Sequence, residues 1–193
     1  MSERELQIGD AAVDCELADA NEQVTGLATL WQRQPTVILF LRHFNCPHCR
    51  EQVRQFHAGR AQVQAAGLRV ALVGLGKPER ARSFCDDMQI TFPVLCDPDK
   101  RSYAAYNLLR ANPFREMNPN SVRRYITALQ DTRTLGVSLD QDMVQLGGTF
   151  IIDAGGIIRY AHRAMRIGDN PTPDDVLGEW LPAQGRQRAV ETR

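Results

Sequence analysis

The chain has 193 residues, enough for one domain that buries about 70% of the surface its unfolded form exposes, so neither a disulfide framework nor a metal is needed for stability. Its 23 basic and 23 acidic residues cancel, which gives no global field to attract nucleic acid or an anionic membrane. The longest apolar runs fall far short of the roughly 20 residues that a spanning helix needs.

In chain order, Met1 to Glu5 is charged and lacks the pattern of a signal peptide, so a cytoplasmic protein is expected. Leu6 to Thr25 alternates and is interrupted at Gly9-Asp10 and Asp19-Ala20-Asn21, which predicts an N-terminal hairpin. Leu27 to Gln32 reads as a single helical turn. Thr36 to Leu41 is a continuous, β-branched apolar run, the signature of a central strand covered on both faces. A helical pattern follows from Pro47 to Ala66, with Cys49, Val53, Phe56 and Val63 on one face, a bend at Gly59 and a stop at Gly67.

Leu68 to Val73 is the next strand, Pro78 to Met88 the next helix, Phe92 to Leu95 a short strand and Asp99 to Leu109 a helix with Tyr103 and Tyr106 on one side. This βαβαβα order predicts an α/β fold whose central sheet is mixed but mainly parallel and flanked by helices. Residues from about 111 to 146 break the rhythm and read as a helical insertion rather than a second domain. Within them Val122 to Leu129, with Arg123 and Arg124 on one side, reads as an amphipathic surface helix, with a homodimer contact or a lid as the other readings. Thr149 to Asp153 and Ile157 to Tyr160 then form a hairpin around a glycine-rich turn, a last helix starts near Pro173 and includes Trp180, and a loose tail covers 184–193. One domain over 1–193 is expected, with its core at about 6–182.

Cys46-Pro47-His48-Cys49 stands at the strand-to-helix junction. With Cys46 as N-cap, Pro47 falls where its missing donor costs nothing, and the sulfur of Cys46 meets free amides and the positive end of the helix dipole. Cys46 is the expected nucleophile and Cys49, one turn deeper, the resolving thiol. His48, Arg42 and His43 are candidates to lower the Cys46 pKa further. A zinc site is the competing reading, but its remaining ligands would have to come from scattered singles such as His57, Cys85, Cys96 and His162. No Gly-x-Gly-x-x-Gly pattern supports a nucleotide cofactor, and no cofactor or metal is expected.

Four segments together resemble the peroxiredoxin-like branch of the AhpC/TSA superfamily, which has the thioredoxin fold. Leu6 to Asp14 is similar to its opening "GdxAPdF", with Val13 and Cys15 in place of proline and phenylalanine. Phe40 to Arg50 is similar to "F-R-x-F-x-C-x-x-C-R", Phe92 to Asp99 to "FPlLsDpd", and Gln145 to Asp153 with Tyr160 to Arg163 to "QlGG-fviD…Y-HRS". The resemblance implies a thioredoxin-like fold and an antioxidant thiol oxidoreductase that reduces hydrogen or organic peroxides, with a thioredoxin- or glutaredoxin-like reductant. The alternatives are thiol–disulfide exchange on a disulfide substrate or a redox-sensing switch.

Typical peroxiredoxins have a threonine three residues before the peroxidatic cysteine and an arginine before the "TFIID" strand. This sequence has His43 (or Cys46, if Cys49 is the aligned sulfur) and Gly147 there, and Gly148 where thioredoxins place a cis-proline. Cys85 matches the location of the resolving cysteine in some atypical peroxiredoxins, against a plain reading as a buried small residue. The resemblance also gives His162 and Arg163 a functional reading beside that of a hydrogen-bonded structural pair.

Overall fold

The computed structural model describes residues 4–111, 142 and 144–181. The order is β1 (Glu16–Asp19), β2 (Val24–Gly26), a 3-10 turn (Leu27–Leu30), β3 (Thr36–Leu41), α1 (Pro47–Ala58), α2 (Arg60–Ala65), β4 (Arg69–Gly74), α3 (Pro78–Met88), β5 (Val94–Cys96), α4 (Arg101–Ala105), β6 (Gly148–Ile152), β7 (Ile158–Arg163) and α5 (173–181). The strands form one sheet in the order β2-β1-β5-β4-β3-β6-β7.

Every residue of β3 is buried, as its unbroken apolar run requires. Val37, Leu39 and Leu41 join one core cluster, with Val53 and Phe56 of α1, Phe84 of α3 and Val176, Leu177 and Trp180 of α5. Ile38 and Phe40 join the other, with Leu27 and Leu30 of the 3-10 turn, Tyr103 of α4 and Tyr106 just after it. The period of two in β3 thus separates two layers of packing, one on each face of the sheet.

The sheet is mixed, but the expectation that it is mainly parallel holds only at its centre. β3 with β4 and β4 with β5 are parallel, whereas β1 with β2, β1 with β5, β3 with β6 and β6 with β7 are antiparallel. The hairpin expected over Leu6 to Thr25 is confined to β1 and β2. The chain before it bonds elsewhere, through Gly9 N–H to Ile158 O (2.8 Å) and Ala12 N–H to Gly156 O (2.7 Å).

The long helix expected from Pro47 is two helices, broken at Gly59, where a side chain would press on Gln55 O and touch Pro173 at the start of α5. The expected Asp99 to Leu109 helix shrinks to α4, because Lys100 (φ 60°) and Asn107 (φ 56°) bracket it in the left-handed region. Buried Asp97 accepts the free amides of Arg101 (3.0 Å) and Ser102 (2.8 Å) at its start.

The ends of the inserted segment are pinned together: Ala111 N–H donates to Val144 O (2.6 Å) and Leu146 N–H to Leu109 O (3.0 Å). The Val122 to Leu129 stretch and the 184–193 tail lie outside the described residues. Among the described residues no helix is long and apolar enough to cross a membrane.

Candidate active site

Central strand β3 ends at Leu41, and four residues, Arg42 to Asn45, carry the chain to α1 at the carboxyl end of the parallel strands, where sites of open α/β sheets gather. The end of β3 is buttressed from the opposite face. The hydroxyl of fully buried Tyr103 sits between the carbonyls of Leu41 and Val73. Phe44 is packed down on Gly74, whose position leaves no room for a β-carbon, and its ring lies 5.3 Å from that of Phe84. The connection is therefore held from both sides.

Cys46 is the N-cap of α1, with Pro47 in the first turn, as its sequence position implies. Both cysteines are free thiols and deeply buried, Cys46 being 1% exposed. Arg42 reaches both sulfurs with different atoms: its backbone N–H donates to Cys49 Sγ (3.3 Å), and its Nη1 donates to Cys46 Sγ (3.6 Å). Its Nε is anchored on the carbonyl of Gln145 (3.1 Å).

These contacts separate the two thiols electrostatically. A hydrogen bond from the Cys49 thiol lowers the Cys46 pKa to about 5, with help from the Cys49 amide and the charges of Arg42 and His43, against the cost of burial. The same hydrogen bond and deep burial hold Cys49 well above the ordinary thiol range. The other three cysteines are all shifted upward. Burial raises Cys15 and Cys85 and pushes Cys96 up to about 12. Cys46 is thus the one cysteine of the five that is poised as a thiolate at neutral pH.

The sequence pattern of the AhpC/TSA family matches residues 8–161, most of the chain and all of this site. The chain belongs to the AhpC/TSA family. Relatives include a chloroplastic thioredoxin-like protein of Arabidopsis thaliana, 24% identical over 162 residues that cover 78% of this chain and 64% of the relative. Human peroxiredoxin-like 2C is 22% identical over 175 residues, covering 86% and 77%. Among solved structures, peroxidoxin BcpB of Mycobacterium tuberculosis superposes with a TM-score of 0.67 at 15% identity, covering 94% of this chain and 98% of its own. The fold is therefore the thioredoxin-like fold of the peroxiredoxins, and the chain spans just under two thirds of the length of the Arabidopsis relative.

The other sequence candidates of this family member fall in different places. Arg42 and His43 are buried beside the dithiol, at 6% exposure each. His48 is exposed, its carbonyl accepting from Asn170 Nδ2 (3.2 Å), and the groups acting on Cys46 are Cys49, Arg42 and His43 without it. His162 lies on the α1 side of the sheet: its strand partner Thr149 accepts from Gln52 of α1 (3.2 Å), and its own Nε2 lies 3.3 Å from Asp169 Oδ1. Arg163 goes to the opposite face, where it donates to Tyr106 O (2.9 Å) and Leu6 O (2.6 Å) over the ring of Phe150. Its structural reading is the one the contacts fit.

Cys85 is half-buried on α3, at the margin of the core cluster that includes the dithiol. Gly147 and Gly148 lie close against neighbouring strands. A β-carbon at Gly147 would lie 2.2 Å from Phe40 O, and one at Gly148 would lie 2.7 Å from Leu108 and 2.8 Å from His162 O. Gln145, Gln52 and Tyr103 were not picked out from sequence as site residues. Tyr103 had a signal there in its helical phase with Tyr106, and Gln145 one as the first residue of the segment similar to "QlGG-fviD". Among the described residues no three His, Cys, Asp or Glu side chains gather to hold a metal ion.

Proposed function

We propose that the chain is a peroxiredoxin-like thiol oxidoreductase that reduces peroxides through Cys46, with Cys49 as resolving thiol. One observation carries this reading: a thiolate held by a guanidinium and a second thiol, yet only 1% exposed. A peroxide is small enough to reach such a sulfur and is attacked by the thiolate form.

The reaction runs in three steps. The Cys46 thiolate attacks one peroxide oxygen, the O–O bond breaks, and, with one proton taken up from solvent, a sulfenic acid forms as the other oxygen leaves as alcohol or water. Cys49 then attacks that sulfur; the S–S bond forms, and the hydroxyl departs with the Cys49 proton as water. An external dithiol of the thioredoxin or glutaredoxin type reduces the disulfide and restores both thiols. Arg42 supports the first step by stabilising the thiolate.

The test is to give the reduced protein one equivalent of hydrogen peroxide and map its disulfides by mass spectrometry. A Cys46–Cys49 bond, with peroxide consumption coupled to a thioredoxin system, supports the reading. A Cys46–Cys85 bond moves the resolving role to α3. A disulfide without turnover leaves a redox switch, and unreacted Cys46 and Cys49 overturn the proposal.

A further inference from the structure

The three steps above leave one buried group unused. Among the described residues, Nδ1 of His43 is the one buried side-chain nitrogen or oxygen without a hydrogen-bond partner, on a residue only 6% exposed. An unpaired buried polar atom is destabilising, so its persistence in the folded protein needs a reason. The surroundings of His43 supply one.

The His43 carbonyl accepts the Cys46 amide (3.1 Å), which ties the backbone of the histidine to that of the nucleophile. The Cys46 thiolate and the His43 ring act on one another electrostatically. The neighbouring donors are already engaged: Arg42 uses Nη1 on Cys46 Sγ, Nε on Gln145 O and its amide on Cys49 Sγ. His43 Nδ1, on a ring close enough to feel the charge of the nucleophile, therefore has its hydrogen-bonding capacity unspent.

We propose that His43 Nδ1 relays the proton of a hydroperoxide from its distal to its departing oxygen during attack by Cys46. This rests on the peroxide reading above and names its substrate class, hydroperoxides that carry an O–H. As Cys46 Sγ bonds the distal oxygen, Nδ1 accepts that oxygen's proton; as the O–O bond breaks, the ring returns a proton to the leaving oxygen. Cys46–S⁻ and H–O–O–R become Cys46–S–O⁻ and H–O–R. Sulfur loses two electrons, the peroxide gains them, and the imidazole begins and ends neutral.

Neutrality is the state the pocket favours. Burial holds His43 below the ordinary histidine range, with Arg42 acting in the same direction and the Cys46 charge opposing both. A dialkyl peroxide or a cyclic endoperoxide has no O–H for Nδ1 to accept, so the relay gives such substrates nothing.

The experiment compares wild type, His43→Leu and His43→Gln in two single-turnover reactions of the reduced protein: oxidation by cumene hydroperoxide, and alkylation of Cys46 by iodoacetamide. Alkylation needs the thiolate but no proton relay. The expected result is a loss of about 100-fold or more in the hydroperoxide rate of both variants, the usual scale of general acid–base catalysis, with alkylation changed by less than about threefold. Equal losses in the two reactions would show that His43 only shapes the thiolate, and no loss would show that it does neither; each overturns the relay. Should His43→Leu fail to fold, His43→Gln carries the same comparison, since an amide can satisfy the buried position but cannot exchange its proton. A wild-type protein that is alkylated rapidly yet ignores hydroperoxides overturns the peroxide reading itself, which separates that failure from the failure of the relay.

Discussion

At the site, a single residue touches both sulfurs by two independent routes. The Arg42 amide bonds Cys49 and survives any substitution except proline, whereas the guanidinium bonds Cys46 and is removed by mutation. Arg42→Gln therefore isolates the charge. Cys46 is a thiol below about pH 5 and a thiolate above it, so its alkylation rate rises through that midpoint. Loss of a nearby cation makes the thiolate costlier and moves the midpoint upward, by about one pH unit on the usual scale of such contacts. Iodoacetamide kinetics against pH should show a rate reduced about fivefold near pH 5 and unchanged at pH 8. Cys49→Ala should raise the midpoint further than Arg42→Gln, because the Cys49 hydrogen bond is the largest influence on Cys46. The reverse order would place the charge above the hydrogen bond.

The elements that place this site depend on close approach between strands. Gly147 sits against the end of β3, where an added β-carbon would lie 2.2 Å from the carbonyl oxygen of Phe40. That oxygen belongs to backbone, so the strand itself has to move. Gly147→Ala should cost about 3 kcal/mol in urea unfolding, at the upper end of ordinary overpacking, and should slow peroxide reduction, because Phe40 is two residues from Arg42. A stable, fully active variant would show that the strand ends are free to part.

The same contact marks where the sequence stops being informative. β3 and β4 were legible because an apolar, β-branched run has one low-energy use in a soluble chain, and the N-cap role of Cys46 followed from proline in the next position. The reason for Gly147 was hidden, since its partner lies more than a hundred residues earlier and periodicity carries no trace of it. The end of α4 was hidden too. Lys100 and Asn107 adopt left-handed backbone for reasons of tertiary contact, as when Asn107 Oδ1 accepts the amide of Leu6 (2.9 Å).

Across the whole molecule, adjacent residues serve separate ends. His162 and Arg163 are neighbours on β7, and sequence offered no means of telling which, if either, belonged to the site. Strand geometry decides their faces: His162 turns toward the α1 layer, and Arg163 toward the layer that holds α4 and the N-terminal segment. Arg163 joins three distant parts of the chain, with its side chain only 11% exposed. It donates to the carbonyls of Tyr106 and Leu6 and lies 5.2 Å over the Phe150 ring, while its contact with Glu5 is on the solvent side and counts for little. Two charge-assisted, part-buried bonds to carbonyls contribute about 1.5–3 kcal/mol each before allowance for water replacing them. Arg163→Ala should therefore lower stability by about 2–4 kcal/mol, read from denaturant unfolding, and leave the pH midpoint of Cys46 alkylation where it is. A shift of that midpoint, with stability intact, would bring Arg163 into the site from the far face of the sheet and undo the separation of the two layers.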